Sequence, residues 1–196
     1  MRVRMLTESN APRVRMATFT LSECRKLLKI ARQTGLREYA MISLLLHWGL
    51  RATELVSLRV TDLHLRAGYK PTLQVVRLKK KQRIVSVLEL QPTVANRLKR
   101  YLRERDRDSE YLFPISRVQL YRVFRQLAVR AEITLGLAHP HTCRHTLATS
   151  MIADNLSLPI VQAALRHASI TSTMKYITVT DQQASQAVSQ TVSRLF

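Results

Sequence analysis

The sequence predicts a mainly α-helical domain with a small antiparallel β-sheet, an α+β fold. Most segments repeat apolar residues at helical spacing, and only four glycines interrupt them. Two short segments, TLQVVRL and RIVSVLEL, are instead rich in β-branched residues and are separated by the polar KKKQ, a pattern typical of a β-hairpin. The chain has 196 residues, of which 46% are hydrophobic, enough for one packed domain.

The first half of the chain contains three helix signals before the hairpin. In FTLSECRKLLKIARQTG, Thr20 and Glu23 match a capping box, and Gly35 matches a helix stop. The next segment, REYAMISLLLHWG, is almost entirely apolar, so we expect a buried helix. A short helix, ATELVSL, follows Gly49.

The second half is predicted to be helical, with prolines marking several starts. Pro92 opens a helix that reaches about residue 105, and RVQLYRVFRQLAVRAE is amphipathic. Further helices are expected to begin near Thr142, just after Pro140, and at Pro159. We divide the chain into a basic leader (1–17), one domain (18–180) and a helical tail (181–196). The tail could pack on its own domain or on a neighbouring protomer.

The charge of the chain points to a polyanionic partner. Lys and Arg number 32 against 13 Asp and Glu, a net charge of +19, which exceeds the magnitude of about 2–8 that suffices for solubility. The charges are spread along the chain, and no run of about 18 apolar residues exists, so we expect no membrane association. With no secretory signal and two distant cysteines read as reduced thiols, we expect a cytoplasmic protein bound to the nucleoid.

The stretch HTCRHTLATSMIADNLSLPIVQAALRHASITSTMKY, residues 141–176, carries the residues best suited to chemistry. His141 and His145 are four apart, as in zinc-binding HExxH helices, but no glutamate follows the first histidine and the chain lacks a CxxC. We therefore expect no metal site. Arg144 shares a helix face with His141 amid apolar positions, where its guanidinium needs an anion such as phosphate. Tyr176 could act as a nucleophile if cations stabilise the attacked phosphate and a base takes its proton.

The order of five motifs resembles one family. GLRATEL, a basic hairpin, HTCRH, LRH and TMKY follow one another as in the catalytic domain of tyrosine recombinases, the phage-integrase family, over about residues 18–180. The resemblance implies that fold and DNA strand transfer through a 3′-phosphotyrosine. Its catalytic residues would be two phosphate-clamping arginines, a proton donor, a proton acceptor, a phosphate-binding histidine and the nucleophile: Arg51 and Arg144, Lys79, His141, His167 and Tyr176, respectively.

The resemblance also implies supporting residues. Glu54 matches an acidic position that supports Arg51, and Lys80 and Lys81 compete with Lys79 as the proton donor. We expect further DNA contacts from four basic side chains, namely Lys80, Lys81, Arg83 and Arg166. The pattern departs from the family where Arg166 replaces a glycine, where Ser86 replaces a proline and where HTCRH lacks the common leucine. Arg166 could reshape its turn or reach a phosphate.

The resemblance implies double-stranded DNA recombination sites as partners, a homotetramer on synapsed DNA, a monomer or dimer when free, and no cofactor. Most members carry an N-terminal DNA-clamping domain, whereas about 17 residues precede this domain. The chain is either part of a longer protein or a minimal recombinase like the fimbrial-switch invertases. Two alternative functions are a non-catalytic DNA-binding regulator and type IB topoisomerase-like strand relaxation.

Overall fold

The computed structural model describes residues 18–79, 82–105 and 108–166. Within these ranges the chain forms seven α-helices: α1 (Leu21–Thr34), α2 (Leu36–Trp48), α3 (Ala52–Val56), α4 (Pro92–Glu104), α5 (Arg117–Arg130), α6 (Pro140–Ala153) and α7 (Leu158–Ala164). Two short 3₁₀ helices cover Val60–Asp62 and Leu135–Leu137. The predicted α+β class is confirmed, whereas the leader 1–17 and the tail 181–196 lie outside the described residues.

One antiparallel sheet lies between α3 and α4 in the sequence, with strand order β1–β2–β3. Its strands are β1 (Leu63–His64), β2 (Thr72–Lys79) and β3 (Gln82–Glu89). The β2–β3 pairing runs from Thr72 opposite Glu89 to Lys79 opposite Gln82, which confirms the predicted hairpin. The sequence did not predict β1, because a two-residue strand is too short to show an alternating pattern.

The first two helices form as their residues predict. The Glu23 backbone N–H donates to Thr20 Oγ1 at 3.2 Å and the Thr20 N–H donates to Glu23 Oε2 at 2.7 Å, which completes the capping box of α1. The apolar α2 is largely buried and packs against α1, α4 and α6, as expected for a helix without a polar face. Helix α2 is therefore enclosed by three other helices.

Helix α6 begins two residues earlier than predicted, at Pro140 and not near Thr142. Proline fits the first helical position because its backbone lacks the N–H that would have no partner there, and His139 serves as the N-cap. This earlier start places His141 in the first turn of α6.

The buried apolar residues form two groups. A large core extends from Phe19 to Cys143 and includes residues of α1 to α6 and β2. A small cluster of Ala148, Val161 and Leu165 lies between α6 and α7. None of the helices in the described part of the chain has the length and hydrophobicity needed to cross a bilayer.

Candidate active site

Arg51 lies at the junction between α2 and α3. Gly49 ends α2 in the left-handed region (φ +56°), and Arg51 has an extended backbone as the N-cap of α3. Glu54 binds it twice: Oε2 accepts from the Arg51 backbone N–H at 2.9 Å and Oε1 accepts from Nη1 at 2.7 Å. The Arg51 side chain is nevertheless 34% exposed. A guanidinium anchored in this way and still open to solvent is suited to bind a phosphate.

Glu54 is buried and faces a second cation. Its Oε2 lies 3.4 Å from Nη2 of Arg166. Burial raises the pKa of the Glu54 carboxyl, but the backbone hydrogen bond from Arg51 and the charges of Arg166 and Arg51 outweigh it, so the pKa lies below its usual value. The carboxylate is therefore ionised at neutral pH.

Arg166, for which we expected either a reshaped turn or a phosphate contact, lies in a turn with φ +56°. We predicted a DNA contact, but the Arg166 side chain is only 3% exposed and turns into the protein. Nη2 donates to the Trp48 carbonyl at 3.0 Å and Nη1 donates to the Ala164 carbonyl at 3.1 Å. The Arg166 guanidinium therefore binds carbonyl and carboxylate oxygens inside the protein.

Arg144 projects from α6 toward the same end of α2. It is 1% exposed, its Nη1 donates to the Gly49 carbonyl at 2.6 Å, and its Nη2 donates to the Leu165 carbonyl. The C-terminal end of a helix carries partial negative charge, which favours a nearby cation. Arg144 thus joins the end of α2 to the end of α7.

Position 49 favours glycine. A Cβ there would lie 3.1 Å from Leu165 Cδ2, 3.2 Å from Leu147 Cδ2 and 3.5 Å from Arg144 Cγ, in a backbone conformation that L-residues rarely adopt. This close approach brings the Arg51 junction against α6 and α7.

His141 completes the described part of the site. Its imidazole packs edge-on against His145, with ring centroids 4.4 Å apart. Desolvation, followed by the charges of Arg144, His139 and Arg51, lowers the pKa of His141 below its usual value. His141 and Arg144 are three residues apart on α6, and Arg144 binds the Gly49 carbonyl two residues before Arg51, so the three groups lie at the same end of α2. A neutral imidazole beside two cations can accept a proton.

Two predicted site residues lie in the hairpin strands. Lys79 ends β2 opposite Gln82, and Arg83 lies in β3 opposite Leu78, and both are described only as backbone. The remaining predicted residues fall outside the described part of the chain, namely Lys80, Lys81, His167 and Tyr176. Of the proposed machinery, the structure therefore brings together Arg51, Glu54, His141 and Arg144.

Arg77 was missed by the sequence analysis. It follows the buried Leu73 and Val75 at alternate positions of β2, and its Nη1 donates to the Arg166 carbonyl. The interruption of an inward-facing apolar pattern by an arginine was the available signal. This hydrogen bond ties the hairpin strand that ends at Lys79 to the turn after α7.

Comparison with known proteins gives a consistent result. Residues 17–183 match the model of the phage integrase family. The chain is 33% identical over 186 residues to a tyrosine recombinase of Pseudothermotoga lettingae, covering 91% of this chain and 62% of that protein. It is 29% identical to tyrosine recombinase XerA of Pyrococcus furiosus, covering 93% of this chain and 64% of that protein. The chain thus spans somewhat over three fifths of the length of these relatives.

Solved structures support the same fold. The crystal structure of XerA recombinase superposes with a TM-score of 0.71 at 25% identity, covering 94% of this chain and 66% of that chain. XerH site-specific recombinase bound to its difH substrate superposes with a TM-score of 0.74 at 22% identity, covering 88% and 53%. With a family model that matches most of its length, the chain belongs to the phage integrase family and has the fold of a tyrosine recombinase catalytic domain.

Proposed function

We propose that this chain catalyses site-specific DNA recombination, cleaving and rejoining strands through a 3′-phosphotyrosine intermediate. The observation that carries the proposal is the convergence of Arg51, His141 and Arg144 at the end of α2, although about 90 residues separate the first from the others. Two cations beside a neutral imidazole suit phosphoryl transfer, in which charge on the phosphate must be stabilised and a proton must be moved.

In the proposed cleavage step, the Tyr176 hydroxyl oxygen attacks the scissile phosphorus and the bond to the 5′-oxygen breaks. His141 accepts the phenolic proton, and Lys79 donates a proton to the departing 5′-oxygen. Arg51 and Arg144 stabilise the charge of the pentacoordinate phosphorus, with His167 as a further phosphate ligand. The phosphotyrosine conserves the bond energy, so the reverse step can join the strand to a new 5′-hydroxyl.

Duplex DNA is the proposed substrate. The net charge of +19 favours a polyanion, and binding should weaken steeply with salt as phosphate contacts release counterions. Among the structural neighbours, XerH is bound to difH and the Tn1549 transposon integrase is in complex with circular intermediate DNA. We propose that this chain likewise binds recombination sites, with Lys79 to Lys81 and Arg83 near the DNA. A homotetramer would form on two synapsed sites, from a monomer or dimer when free.

The first experiment is covalent capture on DNA. The protein is incubated in EDTA with nicked duplexes that carry a randomised central tract, and DNA linked to protein is recovered after denaturation and sequenced. We expect a denaturation-resistant adduct on a defined sequence, absent in Tyr176→Phe. Because side chains supply every cation of the proposed step, EDTA should not prevent it. Tight DNA binding without any adduct would favour the non-catalytic regulator.

A second experiment separates recombination from strand relaxation. The captured sequence is placed on two differently labelled duplexes, and joined products are measured. Products that contain one arm from each duplex would support recombination. Relaxation of a supercoiled plasmid without exchange would instead favour topoisomerase-like activity.

A further inference from the structure

We propose, on the basis of the proposed function, that Arg166 is a positioning residue that holds Glu54 so that Glu54 can orient the Arg51 guanidinium. Arg166 touches neither Tyr176 nor the phosphate in this scheme. It acts through Glu54, which binds Arg51 at both its backbone and its side chain.

The first support is the placement of the guanidinium. Arg166 Nη2 lies within 3.4 Å of Glu54 Oε2 and also donates to the Trp48 carbonyl at 3.0 Å. Arg166 therefore contacts Glu54 of α3 and Trp48 at the end of α2, the two helices between which Arg51 lies. A shift of either element would move Arg51.

The second support is the backbone conformation. Arg166 has φ +56°, a region that favours glycine, and glycine is the residue that the family pattern suggests here. Glycine would satisfy this backbone without strain, so the turn itself does not require arginine. The buried contacts of the side chain with the Trp48 and Ala164 carbonyls and with Glu54 explain why an arginine stands here.

The third support is electrostatic. Cations on two sides face Glu54, Arg51 from α3 and Arg166 from the turn after α7, and Arg77 of β2 in turn faces Arg166. The Arg166 charge helps to keep the Glu54 carboxyl ionised. An ionised Glu54 binds Arg51 more strongly than a protonated one.

The test compares Arg166→Gly with Asn155→Gly. Asn155 has φ +58° in an exposed turn away from the site, so both changes relieve the same backbone conformation and only the first removes contacts with Glu54. Arg166→Gly also keeps the carbonyl that accepts from Arg77. Arg166→Lys retains a charge without the planar fork, so it should lose less of the rate of adduct formation than Arg166→Gly.

Two measurements are made on each variant. The Glu54 pKa is followed by carbon-detected NMR of the free protein, and it should rise in Arg166→Gly but not in Asn155→Gly. The rate constant of adduct formation is measured on the captured DNA at saturating substrate. It should fall about tenfold or more in Arg166→Gly with unchanged DNA affinity, because a small displacement of a catalytic group costs that order of rate.

A modified substrate sharpens the second measurement. A methylphosphonate at the scissile position removes the negative charge that Arg51 neutralises, so the Arg166→Gly defect should shrink on this substrate. If Arg166→Gly forms the adduct as fast as the wild type, or if its Glu54 pKa is unchanged, only the positioning role is overturned. Failure of the wild type to form any adduct would overturn the proposed function together with this role.

Discussion

The main body of the molecule and its α6–α7 corner are held together differently. The body, formed by α1 to α5 and the sheet, buries large apolar side chains such as Phe113 and Phe124 completely. The corner, residues 140–166, has its own apolar cluster, in which Ala148, Val161 and Leu165 are the fully buried members. Apolar burial therefore contributes much more to the body than to the corner.

Apart from Cys143 of α6, which belongs to the main core, the corner is attached to the body by directional hydrogen bonds. Arg144 binds the carbonyls of Gly49 and Leu165, and Arg166 binds the carbonyl of Trp48. Apolar contacts tolerate small shifts, whereas hydrogen bonds weaken steeply when their angle or distance changes. Arginine hydrogen bonds thus orient the corner that carries His141 and Arg144, whereas the body supplies most of the stability.

The largest expected effect comes from opening the core of the body. Phe124→Ala should destabilise the fold by about 3–5 kcal/mol, because it removes a fully buried ring that stacks on Phe19 at 6.5 Å. Urea denaturation measures the change. Val118→Ala, on the same helix and 58% exposed, is the control and should change stability by less than about 0.5 kcal/mol. Equal losses in both variants would contradict the assigned core.

Removing the Arg144 hydrogen bonds should reduce stability less than Phe124→Ala does, but it should abolish adduct formation. Arg144→Met keeps a long side chain and leaves the buried carbonyls of Gly49 and Leu165 without their donor, at a cost of about 2–4 kcal/mol. Hydrogen exchange should increase in α7 more than in α1, and adduct formation should be lost. Uniform exchange throughout the protein would argue against a separately fastened corner.

Two glycines test how closely the corner approaches the body. Gly49→Ala and Gly68→Ala both place alanine at positive φ, but a Cβ at Gly49 meets Leu165 and Leu147 whereas one at Gly68 meets nothing within 4 Å. We expect Gly49→Ala to be less stable than Gly68→Ala by about 1–3 kcal/mol, the cost of overpacking. Thermal or urea unfolding of the pair measures the difference, and equal stabilities would contradict the close contact.

The smallest expected effect is a pH dependence at His141. Its folded-state pKa lies below the unfolded value of about 6.5, so the unfolded state binds the proton more readily as pH falls. Stability should rise as pH increases through the window that ends near the unfolded value, and His141→Gln should reduce this slope.

The control for this pH dependence is His64→Gln, which removes an exposed imidazole from β1 without touching the site. The acid limb of adduct formation should also lie below the usual histidine range, because a neutral His141 is needed to accept the proton. An acid limb at or above the usual range would contradict the assignment of His141 as the base.

Local sequence patterns were sufficient for most of the fold. The capping box at Thr20 and Glu23, the apolar α2 and the β-branched hairpin each form through short-range preferences, and the structure confirms all three. The two-residue β1 was missed because it is defined by its pairing with β2, not by a pattern of its own.

The sequence by itself determined the fold class, the basic charge that favours a polyanion, and the motif order that identifies the family, because these depend on local periodicity, composition and residue type. Only the tertiary structure decided the directions of the arginines. Arg166 and Arg51 look equally available to DNA in the sequence, yet one is buried and the other partly exposed. The reason is physical: the direction of a long side chain depends on the partners within its reach. Arg144 reaches Gly49, and Arg166 reaches Glu54, only when distant helices pack together.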